Sequence, residues 1–245
     1  MLPFKSRCRA ISGPAAAVLI LAAASSFAFA ESFPAYHEAF KTASPSFPGT
    51  EYPNWAFVGK EGASASVGDD GRLRIMAGTE ETYSYGRATI TSGETIGLPE
   101  FPDNYSVFVS LGGGTGSPGS WNVAIEVNRV WIGFYPGYQT EVGKGHFYAC
   151  FAEGYGELIS HIDMGFVPQP DILYPMEIKV TRVGTGGQRF KFDVVVKNPE
   201  MEGEKFCKSF EADLPDNLLP IDSVSLWRVD GPGGDGIFSD LKLAP

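Results

Sequence analysis

The sequence predicts an all-β, two-sheet antiparallel sandwich, and three observations predict it. Short runs alternate apolar with polar residues, as half-buried strands do. Gly, Pro, Asp or Asn clusters interrupt those runs every ten or so residues, so that the 30 glycines and 18 prolines fall between strands with no repeating unit. Helical periodicity is almost absent; the single passable turn, around 215–219, reads better as a loop.

After a proline-rich lead-in (Pro34, Pro45, Pro48, Pro53), strands are expected near 54–58, 64–67, 72–76, 84–91 and 104–110. The series continues near 122–128, 130–135, 145–151, 156–163, 174–182, 189–197, 204–210, 222–229 and 237–243. The alternation is strictest in the long runs. Ile178 and Val180 oppose Lys179 and Thr181, and Phe190, Phe192, Val194 and Val196 oppose Lys191, Asp193 and Lys197, which gives each strand one wet face. The clearest hairpin is C-terminal: 222–229 turns over Asp230-Gly231-Pro232-Gly233-Gly234-Asp235-Gly236 and returns as 237–243. About fourteen strands exceed what one open sheet holds without splitting into two packed layers, so a jelly roll follows.

Residues 1–30 read as an export signal: Lys5, Arg7 and Arg9, then the apolar stretch Ala15 to Ala24, then Ala28-Phe29-Ala30 as a small-x-small cleavage site. The apolar stretch is about half of the roughly 20 residues a membrane span needs. Cleavage leaves 215 residues, Glu31 to Pro245, expected as one domain in a secreted or periplasmic compartment. The mature chain has 16 basic and 29 acidic residues, a net charge of -13. That field repels phosphate backbones, and no basic stripe interleaves with aromatics, which speaks against nucleic acid. A polyanion would need a local cationic pocket, so neutral sugar chains are the easier match.

Cys8 leaves with the signal. Cys150 and Cys207 sit in strand-like runs in an oxidising compartment and are expected to pair, which would stabilise the fold by about 4 kcal/mol on the chain-entropy model. The alternative is two separate buried thiols.

Several landmarks resemble the concanavalin A-like lectin/glucanase superfamily, which includes the laminin-G modules. At the start these are Glu38-Ala39-Phe40, Trp55 and Asp70-Gly71-Arg72-Leu73-Arg74-Ile75; at the end, 222–229 and Phe238-Ser239-Asp240-Leu241-Lys242-Leu243. Residues 119–123 and 131–138 resemble modules of exported bacterial proteins. The resemblance covers nearly the whole mature chain and implies a jelly-roll fold, which hosts many unrelated activities. The Glu-x-Asp-x-x-Glu strand of the superfamily's glucanases is missing; Glu157 with Asp163 and Asp171 with Glu177 have the wrong spacing. The Gln-x-His and Tyr-rich strands of its alginate lyases are missing too. The resemblance also implies a structural calcium ion, with Glu38 and Asp240 at the usual carboxylate positions; Asp230 and Asp235 are a second candidate, although a hairpin turn explains them. His37, His146 and His161 lack zinc spacing, and Gly112-Gly113-Gly114 lacks the lysine and helix of a phosphate loop.

His146 and Tyr148 are two apart in one strand and share a face. An imidazole beside a phenol can abstract and return a proton, as β-elimination on a uronic acid requires, with Arg129 or Asn122 neutralising the carboxylate. Ordinary lining of a sandwich face is the other reading. Glu126, out of phase with Val123 and Ile125, is the candidate carboxylate for glycoside hydrolysis or merely part of a solvated face; Glu153 and Glu157 flank a turn. The rings of Trp121, Trp131, Tyr135, Tyr138, Tyr148 and Tyr155 cluster between 121 and 155. Flat rings stack on pyranose faces, although any one of them can equally be core. The leading expectation is an exported domain that binds poly- or oligosaccharide on a concave aromatic-lined sheet through Trp121, Asn122, Glu126, Arg129, Trp131, Tyr135, Tyr138, His146 and Tyr148. A polysaccharide-cleaving lyase or hydrolase using His146, Tyr148 or Glu126, and an adhesion or matrix module, are the alternatives.

Overall fold

The computed structural model describes residues 36–78, 85–91, 103–114, 122–136, 144–151, 158–184, 187–214, 223–229 and 234–244. These form fifteen strands and, among the described residues, no α-helix. The strands are β1 Tyr36–Glu38, β2 Trp55–Gly59, β3 Ser64–Val67, β4 Leu73–Met76, β5 Tyr85–Thr91, β6 Asn104–Gly113, β7 Asn122–Val127 and β8 Val130–Tyr135. They continue as β9 His146–Phe151, β10 Leu158–Asp163, β11 Tyr174–Arg182, β12 Arg189–Lys197, β13 Lys205–Asp213, β14 Ser223–Val229 and β15 Asp235–Ala244. Every expected strand is present; β1 is the addition. The turn expected at 215–219 lies outside the described residues, as does the export signal.

Sheet A runs β13-β12-β11-β6-β15-β4-β3, with β1 on β15; sheet B runs β10-β9-β8-β7-β14-β5-β2, and neighbouring strands are antiparallel. This is the two-sheet jelly roll that the alternation implies. Parity fills the layer between the sheets. Val107, Val109, Ile178, Val180, Phe190, Phe192 and Val194 from sheet A meet Val123, Ile125, Ile132, Phe134, Phe147, Val224 and Leu226 from sheet B, all at 2% exposure or less. Burial of this continuous apolar surface is the main favourable term in folding.

Two local features steer the chain. The β7–β8 hairpin turns on Asn128 and Arg129, with φ of 48° and 59°, the two positive values of a type I′ turn whose twist matches its strands. The Tyr105 hydroxyl donates to Asn128 Oδ1 from sheet A, which ties this turn to the opposite layer. Phe40, Phe47 and Tyr52, on irregular chain, pack edge to face and tilted at 5.2–6.2 Å among themselves and against Trp55 at the start of β2.

The expected disulfide is not formed. Cys150 is out of phase with Phe147 and Ala149 on β9, and Cys207 is out of phase with Phe206 on β13, so both point away from the core, from different sheets. The sandwich lies between them. The alternative of two buried thiols holds for Cys150 only, since Cys207 is exposed.

Glu38 and Asp240, the expected calcium carboxylates, lie on opposite sides of sheet A. Glu38 shares parity with Tyr36 and, through its register partner Leu241, faces the core side of sheet A. Its oxygens accept from Tyr36 Oη (3.2 Å), Trp55 Nε1 (3.4 Å) and the Phe40 amide (3.3 Å). Asp240 lies in the β15 bulge on the solvent side, with His37 Nε2 at 3.2 Å and Lys242 Nζ at 3.9 Å. A hard cation gathers six to eight oxygens. Among the described residues no group of three or more His, Cys, Asp or Glu is placed to hold a metal. Of the second pair, Asp230 lies outside the described residues, and Asp235 Oδ2 stands 3.5 Å from Arg74 Nε.

Candidate functional site

The outward face of sheet B, face B below, is where the expected site residues meet. Antiparallel pairing sets its side chains in rows across the strands. One row runs Arg87, Trp227, Ala124, Gly133, Tyr148, His161. The row beside it runs Thr89, Ser225, Glu126, Trp131, Cys150, Leu158. On the other side Tyr85, Val229 and Asn122 follow one another from β5 to β7, and Tyr135, His146 and Asp163 from β8 to β10.

Two aromatic groups result. Around Trp227, the ring of Trp131 packs at 4.7 Å and that of Tyr85 at 5.5 Å, while the Arg87 guanidinium lies 5.0 Å from its centroid. Trp131 and Trp227 stand on β8 and β14, with β7 between them. Their rings touch because the intervening positions are Ala124 and Gly133. A Cβ on Gly133 would sit 2.2 Å from the Val123 carbonyl oxygen, so this close strand approach admits only glycine. Beneath the rings, buried Glu126 accepts from Trp227 Nε1 at 3.0 Å and from Arg129 Nη1 at 3.4 Å. Its carboxylate therefore fixes the Trp227 ring.

The second group is a stack of Tyr135, His146 and His161, with His146 5.2 Å from Tyr135 and 5.0 Å from His161 and interplanar angles of 20°. Tyr135 Oη and His161 Nε2 are 2.6 Å apart and share a proton. Tyr148 Oη donates to Asn122 Oδ1 at 2.5 Å.

The expectations fare unevenly. His146 and Tyr148 share a face, and Trp131 and Tyr135 share parity, as read from the sequence. Arg129, expected to neutralise a uronic carboxylate, stands with its Nη1 3.4 Å from Glu126 Oε1. Glu126 has Ser225 and Trp131 as register partners, and Glu153 and Glu157, the other candidate carboxylates, lie outside the described residues. The face is also less open than expected, with Glu126 1% exposed and His146, Tyr135, Tyr148 and Trp227 at 6–7%. Trp121, Tyr138, Tyr155, Glu153 and Glu157 lie outside the described residues. Sequence reasoning missed Tyr85, Arg87, His161 and Trp227. The phase of Trp227, opposite Val224 and Leu226, is the sequence signal for this face.

Burial pushes the Cys150 thiol up to about 11. Face A, the outward face of sheet A, carries a depression of about 220 Å³ over Phe108 and Pro175, rimmed by Lys197, Lys242, Glu177 and Asp240. Its two ammonium and two carboxylate groups offset each other, so face B holds the stronger claim.

No family model matches the chain, and no curated protein does. Solved structures similar to it include the CBM2 module of the evolved Dit protein of Lactobacillus casei BL23 phage J-1, at 14% identity and TM-score 0.49, covering 85% of this chain and 93% of that one. The PL-14 alginate lyase from Aplysia kurodai is 10% identical at TM-score 0.49, covering 85% and 100%. A beta-1,3-glucanase from Mycobacterium marinum is 12% identical at TM-score 0.48, covering 85% and 97%. The likeness is one of strand arrangement. Among the described residues no helix is long and apolar enough to cross a membrane.

Proposed function

We propose that the chain is an exported carbohydrate-binding jelly roll that holds glycans against face B. The observation that supports this is the composition of that face. A solvent-facing sheet surface is ordinarily polar, whereas face B joins Tyr85, Trp131, Tyr135, Tyr148 and Trp227 into a second apolar cluster, separate from the core. Among them stand an amide (Asn122), a carboxylate (Glu126) and two guanidinium groups (Arg87, Arg129). Rings for pyranose faces and polar groups for hydroxyls are what a sugar site combines. Export rests on the signal read in residues 1–30.

Affinity electrophoresis through a panel of soluble polysaccharides tests it. Retention by at least one glycan is expected, and Trp131→Ala should weaken it about tenfold, or ~1.4 kcal/mol. No retention across the panel refutes the proposal.

One observation favours a second reading, cleavage of the bound polysaccharide. The Tyr135–His161 hydrogen bond beside His146 is a phenol–imidazole pair able to take and return a proton. Incubation with the same panel, following reducing ends and the absorbance of unsaturated uronates, decides. Product formation that survives Tyr135→Phe and His161→Ala would remove these residues from the chemistry.

A further inference from the structure

We infer that Arg87 and Trp131, placed against Trp227, form a subsite for the carboxylate of an acidic sugar, so that the glycan held on face B carries uronic acid units. This rests on the reading of face B as the glycan surface, and it names the ligand class there.

The argument starts from what Arg87 lacks. The described arginines otherwise have oxygen partners: Arg72 and Arg74 have Asp70, Arg129 has Glu126, Arg182 has Asp103 and Arg189 has Glu211. Arg228 donates to the carbonyls of Val229 and Gly234. Among the described residues, Arg87 has the Trp227 ring as its one partner, and its Nε is buried with no hydrogen-bond partner there. The same is true of Trp131 Nε1. Two N–H donors without acceptors thus lie against one indole, one of them on a half-buried cation.

Buried donors are ordinarily satisfied, so each orphan calls for an explanation. An acceptor brought by a ligand supplies one. A hydroxyl would satisfy a donor but leave the cation uncompensated, whereas a carboxylate satisfies both, and its bond to guanidinium is of the stronger, charge-assisted kind. The acidic surface, net -13 after signal removal, leaves a polyanion only one way to bind, through a local cationic pocket. Arg87 supplies that charge, because the neighbouring Arg129 is already matched by Glu126.

Calorimetric titration of the chain from Glu31 onward compares oligouronates of four to six sugars with the same oligosaccharides after reduction of their carboxyl groups to alcohols. The acid form is expected to bind roughly tenfold or more tightly, and the preference should shrink as salt is raised. Arg87→Gln should bring the ratio close to one, and Lys242→Gln, which removes an equal charge from face A, should leave it intact. Should Arg87→Gln fail to fold, as judged by thermal unfolding, Trp131→Phe keeps a ring and removes the donor, and it should lower the ratio several-fold. Equal binding of both forms, or preference for the reduced one, overturns the acidic subsite and leaves face B a glycan surface. Binding of neither overturns the acidic subsite, and the polysaccharide panel then decides whether face B holds glycans at all.

Discussion

The two outward faces of the sandwich obey the same alternation and end up chemically unlike. On face A one row reads Lys242, Phe108, Glu177, Val195, Cys207 and the next Ser106, Lys179, Asp193, Ser209, a surface of charges and hydroxyls with isolated apolar side chains. On face B the corresponding rows carry Trp227, Tyr148 and Trp131, mostly buried, with Glu126 beneath them. Parity decides to which side of a sheet a residue points; it does not decide whether that side is wet. Sheet A spends its outward positions on solubility, and sheet B uses them to build a second packed layer.

Breaking that layer should cost far more than disturbing face A. Glu126→Ala leaves Trp227 Nε1 without its acceptor and Arg129 without its counter-charge. A loss of about 3 kcal/mol is expected by urea unfolding, whereas Lys179→Ala on face A should stay within about 0.5 kcal/mol. Equal losses would mean that face B is an ordinary surface. Gly133→Ala forces a methyl against the Val123 carbonyl oxygen and should cost about 2 kcal/mol.

The two cysteines probe the same contrast without altering the fold. At pH 8 in the chain from Glu31 onward, Cys207 on face A should alkylate readily. Cys150 on face B, buried and with its thiol pushed up to about 11, should be protected until the protein unfolds. Mass spectrometry after timed iodoacetamide treatment reads both sites, and equal rates would show face B to be as open as face A.

The smallest effect belongs to the exposed ion pair of Asp70 and Arg74, at 2.6 Å. The hydrogen bond from Arg74 holds Asp70 down to about 2, against about 3.9 in an unfolded chain. Its contribution is therefore present above pH 4 and disappears as the pH falls toward 2. Solvent screening keeps it small. Asp70→Asn should flatten the acid limb of the stability curve slightly, measured as the unfolding midpoint from pH 5 to pH 2.

The strands were legible because alternation and turn residues are local signals. β1 was not, since Tyr36-His37-Glu38 shows no apolar alternation and owes its strand form to β15, some two hundred residues away. The disulfide failed for a related reason. Phase alone shows that Cys150 and Cys207 both point outward, but which sheet each strand joins is set by long-range pairing. At the site, His146, Tyr148, Trp131 and Tyr135 fell out of phase and proximity in sequence. His161 did not, because apolar and polar residues mix on both sides of its strand, with Leu158 and Ile162 in one phase and Ile159 in the other, and only the β9–β10 register brings it to Tyr148. Arg87 and Trp227 became visible as neighbours only once β5 and β14 were known to pair.

The last two strands occupy interior places in both layers: β15 lies between β6 and β4, and β14 between β7 and β5. Until residues 223–244 are synthesised, sheet B is two disconnected pieces and sheet A is two pieces and a lone β1, each with unpaired edges. A nascent chain that has not reached β14 therefore has no route to the finished sandwich. Synthesis of residues 223–244 is then the step that completes both layers at once.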